Sequence, residues 1–216
     1  GERLATFSGH NASFTRIAVS PDGRTVLSGD LGGQLLLWDL QTAQDIRRLP
    51  GHHLAVTGIA FVTDGQTALS GSEDGSLVAW DLTTGAEAWR VDGIQRGVSS
   101  VEISPDGQTA LTCESGGQIG LRASATGQLL RSLAAPDGCS QVIFTPDGQG
   151  LLSAGAALWD LESGEVIRRY PRAHQLVPSP DGQSFFASAG RYGAPAVFQH
   201  RLVSAGLLVA WASNHR

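Results

Sequence analysis

The chain has 216 residues, 16% of them charged, and 28 are Gly; this is the composition of one turn-dense folded domain and not of a disordered segment. No apolar run reaches membrane-spanning length, and the first residues do not read as a signal peptide. The formal net charge of −5 speaks against nucleic acid or an anionic membrane as the partner, since both favour a basic surface.

Taken in order, the chain reads as one unit repeated with increasing damage. Residues 1–8 read by offset as an orphan outer strand. Unit one (9–50) opens on Gly9-His10 and alternates apolar and polar residues between turns rich in Gly, Pro, Asp and Ser. Unit two (51–92) is the best preserved, with Gly51-His52, an alternating run through Val56, Ile59 and Phe61, a Thr63-Asp64-Gly65 turn and three further strands. Period-two alternation between such turns is the all-β signal. Unit three (93–133) keeps Val98, Val101 and Ile103 but has Ile94 for the His and Arg122-Ala123 for the Trp-Asp pair. In unit four (134–170) the segment between Asp147 and Trp159 is shortened, so Gly155 is expected to make a tight turn. In unit five (171–213) Pro178 restricts the first strand to an edge, and Phe198 takes the Trp position.

Two rulers fix the period. The turn aspartates Asp22, Asp64, Asp106, Asp147 and Asp181 are separated by 42, 42, 41 and 34 residues; the third-strand positions Trp38, Trp80, Arg122, Trp159 and Phe198 by 42, 42, 37 and 39. A small sheet cannot bury its faces alone, so such units must stack, and this period with four strands per unit suits a propeller blade. The fold class is therefore all-β, a propeller of about five four-stranded blades. The orphan strand at 1–8, the missing initiator Met, and an Asn214-His215 pair at the Gly-His offset suggest a segment of a longer array.

The unit resembles a WD repeat: Gly9-His10 and Gly51-His52 match its opening pair, Ser104-Pro105-Asp106-Gly107 its first turn, and Trp38-Asp39, Trp80-Asp81 and Trp159-Asp160 its closing pair. The regular early units and the absence of Lys resemble bacterial WD-repeat arrays. The resemblance implies a buried hydrogen-bond relay of His, Ser or Thr, Asp and Trp. Unit two carries the full set as His52, Ser70, Asp74 and Trp80. Unit one has His10, Ser28 and Trp38 but Gly32 where Asp74 stands; unit four keeps Trp159 with Ala135 at the His position; unit three has lost the relay. A buried Trp lost in this way removes packing worth about 3–5 kcal/mol, and Arg122 is expected to carry its guanidinium out to solvent.

The Ser-His-Asp types in unit two follow the order of that relay, and a nucleophile needs access and an oxyanion site, so no catalytic residue is expected. The His residues form no ligand set, and no metal or cofactor is expected. Cys113 and Cys139 do not form a close pair; both read as small buried hydrophobes, with Cys139 on a first strand, and a reducing, cytoplasmic compartment is favoured. Arg47-Arg48, Arg90, Arg131 and Arg168-Arg169 recur on fourth strands and read as charges that keep exposed edges from pairing. The resemblance further implies a non-catalytic scaffold or sensor that binds protein or peptide at the channel rim. Its contacts would be Asn11, Ala12 and Ser13; His53, Leu54 and Ala55; and Gln95 and Arg96. Further blades of a parent chain are the other candidate partner. The rival reading, an enzyme with its site in the channel, would need acidic or His side chains clustered there.

Overall fold

The structure is a computed structural model that describes residues 5–135, 138–154, 157–170, 175–179, 184–189 and 196–201. The first sheet holds β1 (Phe14–Val19), β2 (Thr25–Asp30), β3 (Leu35–Asp39) and β4 (Asp45–Leu49). The second holds β5 (Val56–Phe61), β6 (Thr67–Ser72), β7 (Leu77–Asp81) and β8 (Glu87–Val91). The third has β9 (Val98–Ile103), β10 (Thr109–Glu114), β11 (Gln118–Ala123) and β12 (Leu129–Ala134), and the fourth β13 (Val142–Phe144), β14 (Gly150–Ser153), β15 (Ala157–Asp160) and β16 (Val166–Arg169). The fifth shows β17 (Gln175–Pro178), β18 (Ser184–Ala189) and β19 (Ala196–Arg201) among the described residues. Every sheet is an antiparallel meander in chain order, and the described residues contain no helix.

Aspartates set the turns between these strands. Asp64 accepts the amides of Gln66 and Thr67 at 2.8 and 2.9 Å, and Asp22, Asp106 and Asp147 each accept the hydroxyl two residues before them. At the same end of the sheets, in the turns between third and fourth strands, Asp39 and Asp81 accept the amides of Thr42 and Thr83 at 2.7 and 2.8 Å. A side-chain acceptor of this kind satisfies turn amides that a sheet ladder cannot reach.

Each sheet buries one face against its neighbour. Leu27, Leu35 and Leu37 of the first sheet pack with Val56, Phe61, Val78 and Trp80 of the second. Leu69, Leu77 and Ala79 of the second likewise pack with Val98, Val101 and Ala110 of the third. The first strands line up along the inner edge, where Thr15 Oγ1 donates to the carbonyl of Val56 at 2.5 Å and Thr57 Oγ1 to that of Val98. Phe14 on the outer side of the first sheet is 74% exposed, whereas Val56 at the same place in the second is fully buried.

Several expectations change here. Cys113 and Cys139 are joined in a disulfide, with Cα atoms 5.7 Å apart, and Cys139 precedes β13 and does not lie on a first strand. The reason lies in the repeat. A Cβ on Gly29 would stand 2.6 Å from Val56, and one on Gly71 would stand 2.5 Å from Val98. Glycine is thus required where the next blade presses in, and Cys113 occupies that place in unit three, bonded to the residue that presses on it.

The arginine band is also not a row of free edge charges. Arg47 donates to the carbonyls of Thr83 and Thr84 at 2.9 and 2.8 Å, and Arg131 to those of Leu161, Glu162 and Ser163 at 3.0, 2.8 and 2.5 Å. Trp89, at the intervening equivalent place, donates its indole N–H to Ser124 O at 3.1 Å. The fourth strands of the first three blades therefore reach across to the turn of the next blade. Residues 5–8 form no strand, although the Phe7 ring meets that of Trp38 edge-on at 5.6 Å. Residues 1–4, the turn at Gly155, Asp181 and the tail from 202 lie outside the described residues.

Candidate interaction surface

Under the surface lie the hydrogen-bonded chains of units one and two. In unit two the Trp80 indole donates to Ser70 Oγ at 2.8 Å, and Ser70 lies 2.6 Å from His52 Nε2. His52 Nδ1 lies 2.8 Å from Ser76 Oγ, which donates to Asp74 Oδ1 at 2.5 Å. Burial pushes the His52 imidazole below its ordinary value against the pull of Asp74, so the ring is neutral. One direction then satisfies every atom: Trp80 donates to Ser70, Ser70 to Nε2, Nδ1–H to Ser76 and Ser76 to Asp74. Burial works to raise the Asp74 carboxyl, but hydrogen bonds from Ser76 and the His53 amide outweigh it and hold the group down at about 2. Ser70 and Trp80 are fully buried, and the serine hydroxyl is committed at both ends. A chain with every member paired rigidifies the sheet.

Unit one has its own acid, contrary to the expectation placed on Gly32. Asp30, at the end of β2, sets Oδ2 2.9 Å from His10 Nδ1, while its Oδ1 accepts the amides of Gly32 and Gln34 at 2.9 and 3.0 Å. His10 Nε2 lies 2.6 Å from Ser28 Oγ, which accepts the Trp38 N–H at 2.7 Å. Unit four keeps only the bond from Trp159 to Ser153, at 3.2 Å.

Unit three replaces the chain with a different one, and Arg122 does not reach solvent. It is 7% exposed, with Nη2 2.9 Å from Glu114 Oε1, which also accepts the Thr112 hydroxyl at 3.2 Å. Three substitutions make this fit. Thr112 stands at the relay Ser, Glu114 at the place of Asp30, and Gly120 leaves the room that Glu114 occupies: a Cβ there would come within 2.8 Å of Glu114 Oε1. Glu114 is a residue that the sequence reading missed; its offset from Asp30 and Ser72 is the signal that could have found it.

The rim residues sit where each fourth strand hands over to the next first strand. Asn11, Ser13, His53, Leu54, Gln95 and Arg96 are exposed and Ala12 is half-buried, with Leu54 at 51%. Ala55 is not available for contact. It is 5% exposed, and its carbonyl accepts the Glu73 amide at 3.0 Å. The handover loops lie against the preceding blade, since a Cβ on Gly33 would stand 2.9 Å from Leu54 O, and one on Gly75 2.7 Å from Ile94 O. Leu31 and Glu73 of the hairpin turns are exposed on the same side as Leu54 and Gln95, so each rim patch joins two blades.

Along the inner edge, first-strand residues of successive sheets line a cavity of about 380 Å³ that includes Thr15, Arg16, Thr57, Ser99 and Glu102. Burial pushes the Glu102 carboxyl up to about 7. The equivalent residues in units one and two are Ala18 and Ala60. The cavity's lining therefore has one carboxyl, and one guanidinium at Arg16, whose Nε donates to Thr57 O at 2.7 Å. Among the described residues no group of three or more His, Cys, Asp or Glu could hold a metal ion, and no helix is long and apolar enough to cross a membrane.

Four-stranded antiparallel meanders stacked face to face, with their first strands side by side, are the blades of a β-propeller. The family model described as WD domain, G-beta repeat, matches residues 1–39 and 43–81. The first two units therefore carry WD repeats, and the described residues have the fold of a β-propeller. The β-propeller domain of Cps50 (Swd1) from Myceliophteria thermophila is similar in fold, with a TM-score of 0.75 at 20% identity, over 86% of this chain and 65% of that one. The present chain thus spans less than two thirds of that domain. No curated protein matches the chain.

Proposed function

We propose that this chain is a non-catalytic scaffold or sensor module that binds a protein or peptide across the handover loops of units one to three. The observation that carries this reading is the division of labour in the best-formed blades. The polar chain under the surface is paired within itself, while His53, Leu54, Gln95 and Arg96 stand exposed above it on loops braced by the neighbouring blade. Rigid backbone with exposed side chains from several blades is what a recognition surface needs.

The test is selection of a random peptide library against the immobilised chain, followed by calorimetric titration of a synthetic binder. Leu54→Asp is expected to weaken that binder at least about tenfold, or ~1.4 kcal/mol, without lowering the melting temperature. A library that yields no binder, or binders indifferent to Leu54, Gln95 and Arg96, would count against the reading. Turnover of a substrate by the isolated chain, lost in Glu102→Gln, would favour the channel-enzyme alternative.

The exposed apolar face at Phe14 favours a second partner, a further blade. Val56 and Val98 at the equivalent places are buried between sheets, so the first sheet offers the same kind of surface uncovered. Sedimentation of the wild type and Phe14→Glu tests it: a self-associating wild type and a monomeric variant are expected, and two identical monomers would oppose it. The disulfide argues for an oxidising compartment and against the cytoplasm expected from sequence.

A further inference from the structure

Where the handover from β8 to β9 meets the hairpin between β10 and β11, a cleft of about 610 Å³ opens. Its walls include Val91 and Ile94 on one side and Glu114, Gly116, Gln118 and Arg122 on the other, with Arg96 at the mouth. In unit two the equivalent space holds the His52 ring, the Trp80 indole and the Asp74 carboxylate. Unit three has Ile94, Arg122 and Gly116 in their places, and this is a polar hollow and not simply a worn repeat.

The donors left over in this hollow are specific. Arg122 is 7% exposed and its Nε–H has no acceptor, the more telling because its other side has Glu114 at 2.9 Å. Gln95 holds the sequence offset of His53, whose amide donates to Asp74 at 2.8 Å; the Gln95 amide has no acceptor among the described residues and lies in a turn closed by the Gly97 amide on Ile94 O at 3.1 Å. Arg96 takes a left-handed backbone conformation, φ 64°, that its counterparts Ala12 and Leu54 do not share. This conformation brings the Arg96 side chain over Gly116, close enough that a Cβ on that glycine would stand 3.8 Å from Arg96 Cδ.

Both carboxylates in the cleft already face an arginine. Glu114 is taken by Arg122 and Thr112, and Asp92 lies 3.5 Å from Arg90 Nη1. Arg96 forms no ion pair among the described residues and is the uncompensated charge at the mouth. We propose that this cleft receives the carboxylate of an aspartate or glutamate on a partner peptide, which takes the place that Asp74 fills in unit two. The visiting group accepts from Arg122 Nε and the Gln95 amide and pairs with Arg96, in the way that an Arg fork and backbone N–H groups hold an anion. The inference rests on the peptide-binding reading and names the chemistry of one of its contacts. Its size is in the range of small-ligand pockets, ample for one side chain and the backbone on either side of it.

The experiment follows the Arg122 Nε–H resonance by nitrogen-edited NMR in the full chain. The probe is an acetylated, amidated glycine pentapeptide with glutamate at the centre, and the control is the same peptide with glutamine. The glutamate peptide is expected to shift the Arg122 and Gln95 resonances saturably, and the glutamine peptide to require at least tenfold more for the same shift. Arg96→Gly, which relieves the backbone and removes the charge, is expected to weaken the glutamate peptide at least tenfold while leaving the Arg122 to Glu114 bond and the melting temperature in place. Equal shifts from both peptides, no shift at Arg122, or indifference to Arg96→Gly overturns the proposal. Inorganic phosphate moving the Arg122 resonance as strongly as the peptide at equal concentration overturns the peptide as occupant. If library binders depend on Leu54 but the pentapeptide fails, this inference falls alone; if no peptide of any sequence binds, the peptide-binding reading falls with it.

Discussion

Glu102→Gln removes one titrating group from the inner edge of the propeller and keeps its size. In the folded chain burial raises that carboxyl from 4.5 to about 7, and Arg16, the other charged side chain lining the same cavity, does not offset it. Between these values the folded state holds a proton that the unfolded chain has released, so stability falls as pH rises from about 4.5 to about 7, and above that the loss is complete. A difference of this size corresponds to roughly 3 kcal/mol at 1.36 kcal/mol per unit. The variant lacks that contribution. Urea unfolding of both proteins at intervals from pH 4.5 to 8.5 is therefore expected to give equal midpoints at the acid end and a progressively more stable variant toward the alkaline end. The comparison cancels groups that titrate alike in both, including the depressed Asp74. A difference that is constant with pH, or that grows toward acid, would refute the burial argument.

Three further outcomes are expected. Replacing both cysteines by serine should cost about 3–4 kcal/mol, from closure of the 26-residue separation, and a non-reducing peptide map should show the linkage in the wild type; unchanged denaturant midpoints would contradict it. Asp30→Ala should cost about 1.5–3 kcal/mol, because His10 and two turn amides lose their acceptor, whereas Gly32→Ala should lie nearer zero; calorimetry that ranks them the other way would return the acid of unit one to an open question. Arg131→Met should leave three carbonyls of the next turn unbonded and speed amide exchange around residues 161–165, with Arg16→Met as the control that leaves that turn unaffected.

How far the fold is legible in the sequence depends on the kind of signal. Short alternating strands and aspartate turns at a constant spacing specify blades, because the spacing is itself the physical repeat of one packing unit on the next. The chain through His52, Ser70 and Trp80 is legible for the same reason, since strand register fixes which side chains face one another. Offset fails where a neighbouring residue substitutes for the expected one. Asp30 takes over from two positions earlier than Gly32 because both lie at one hairpin and a carboxylate on the strand end still reaches His10. It fails again where several residues change together: Arg122 alone reads as a lost Trp, and only with Thr112, Glu114 and Gly120 does it read as a buried ion pair. The disulfide is hidden because sequence separation says nothing of blade contact, although Gly29 and Gly71 mark the place where one blade presses on the next. Glu102 escapes because burial of a lone charge is a tertiary property.

The bond from Cys113 to Cys139 gives the stack an unequal set of seams. In an array whose members touch chiefly their neighbours, rupture under load or protease attack can begin at any junction. Here one junction is riveted, so the third and fourth blades must separate from the others before they separate from each other. Oxidation would then decide the size of the piece that survives: a two-blade block under oxidising conditions, and single blades released one after another once a reductant cuts the rivet.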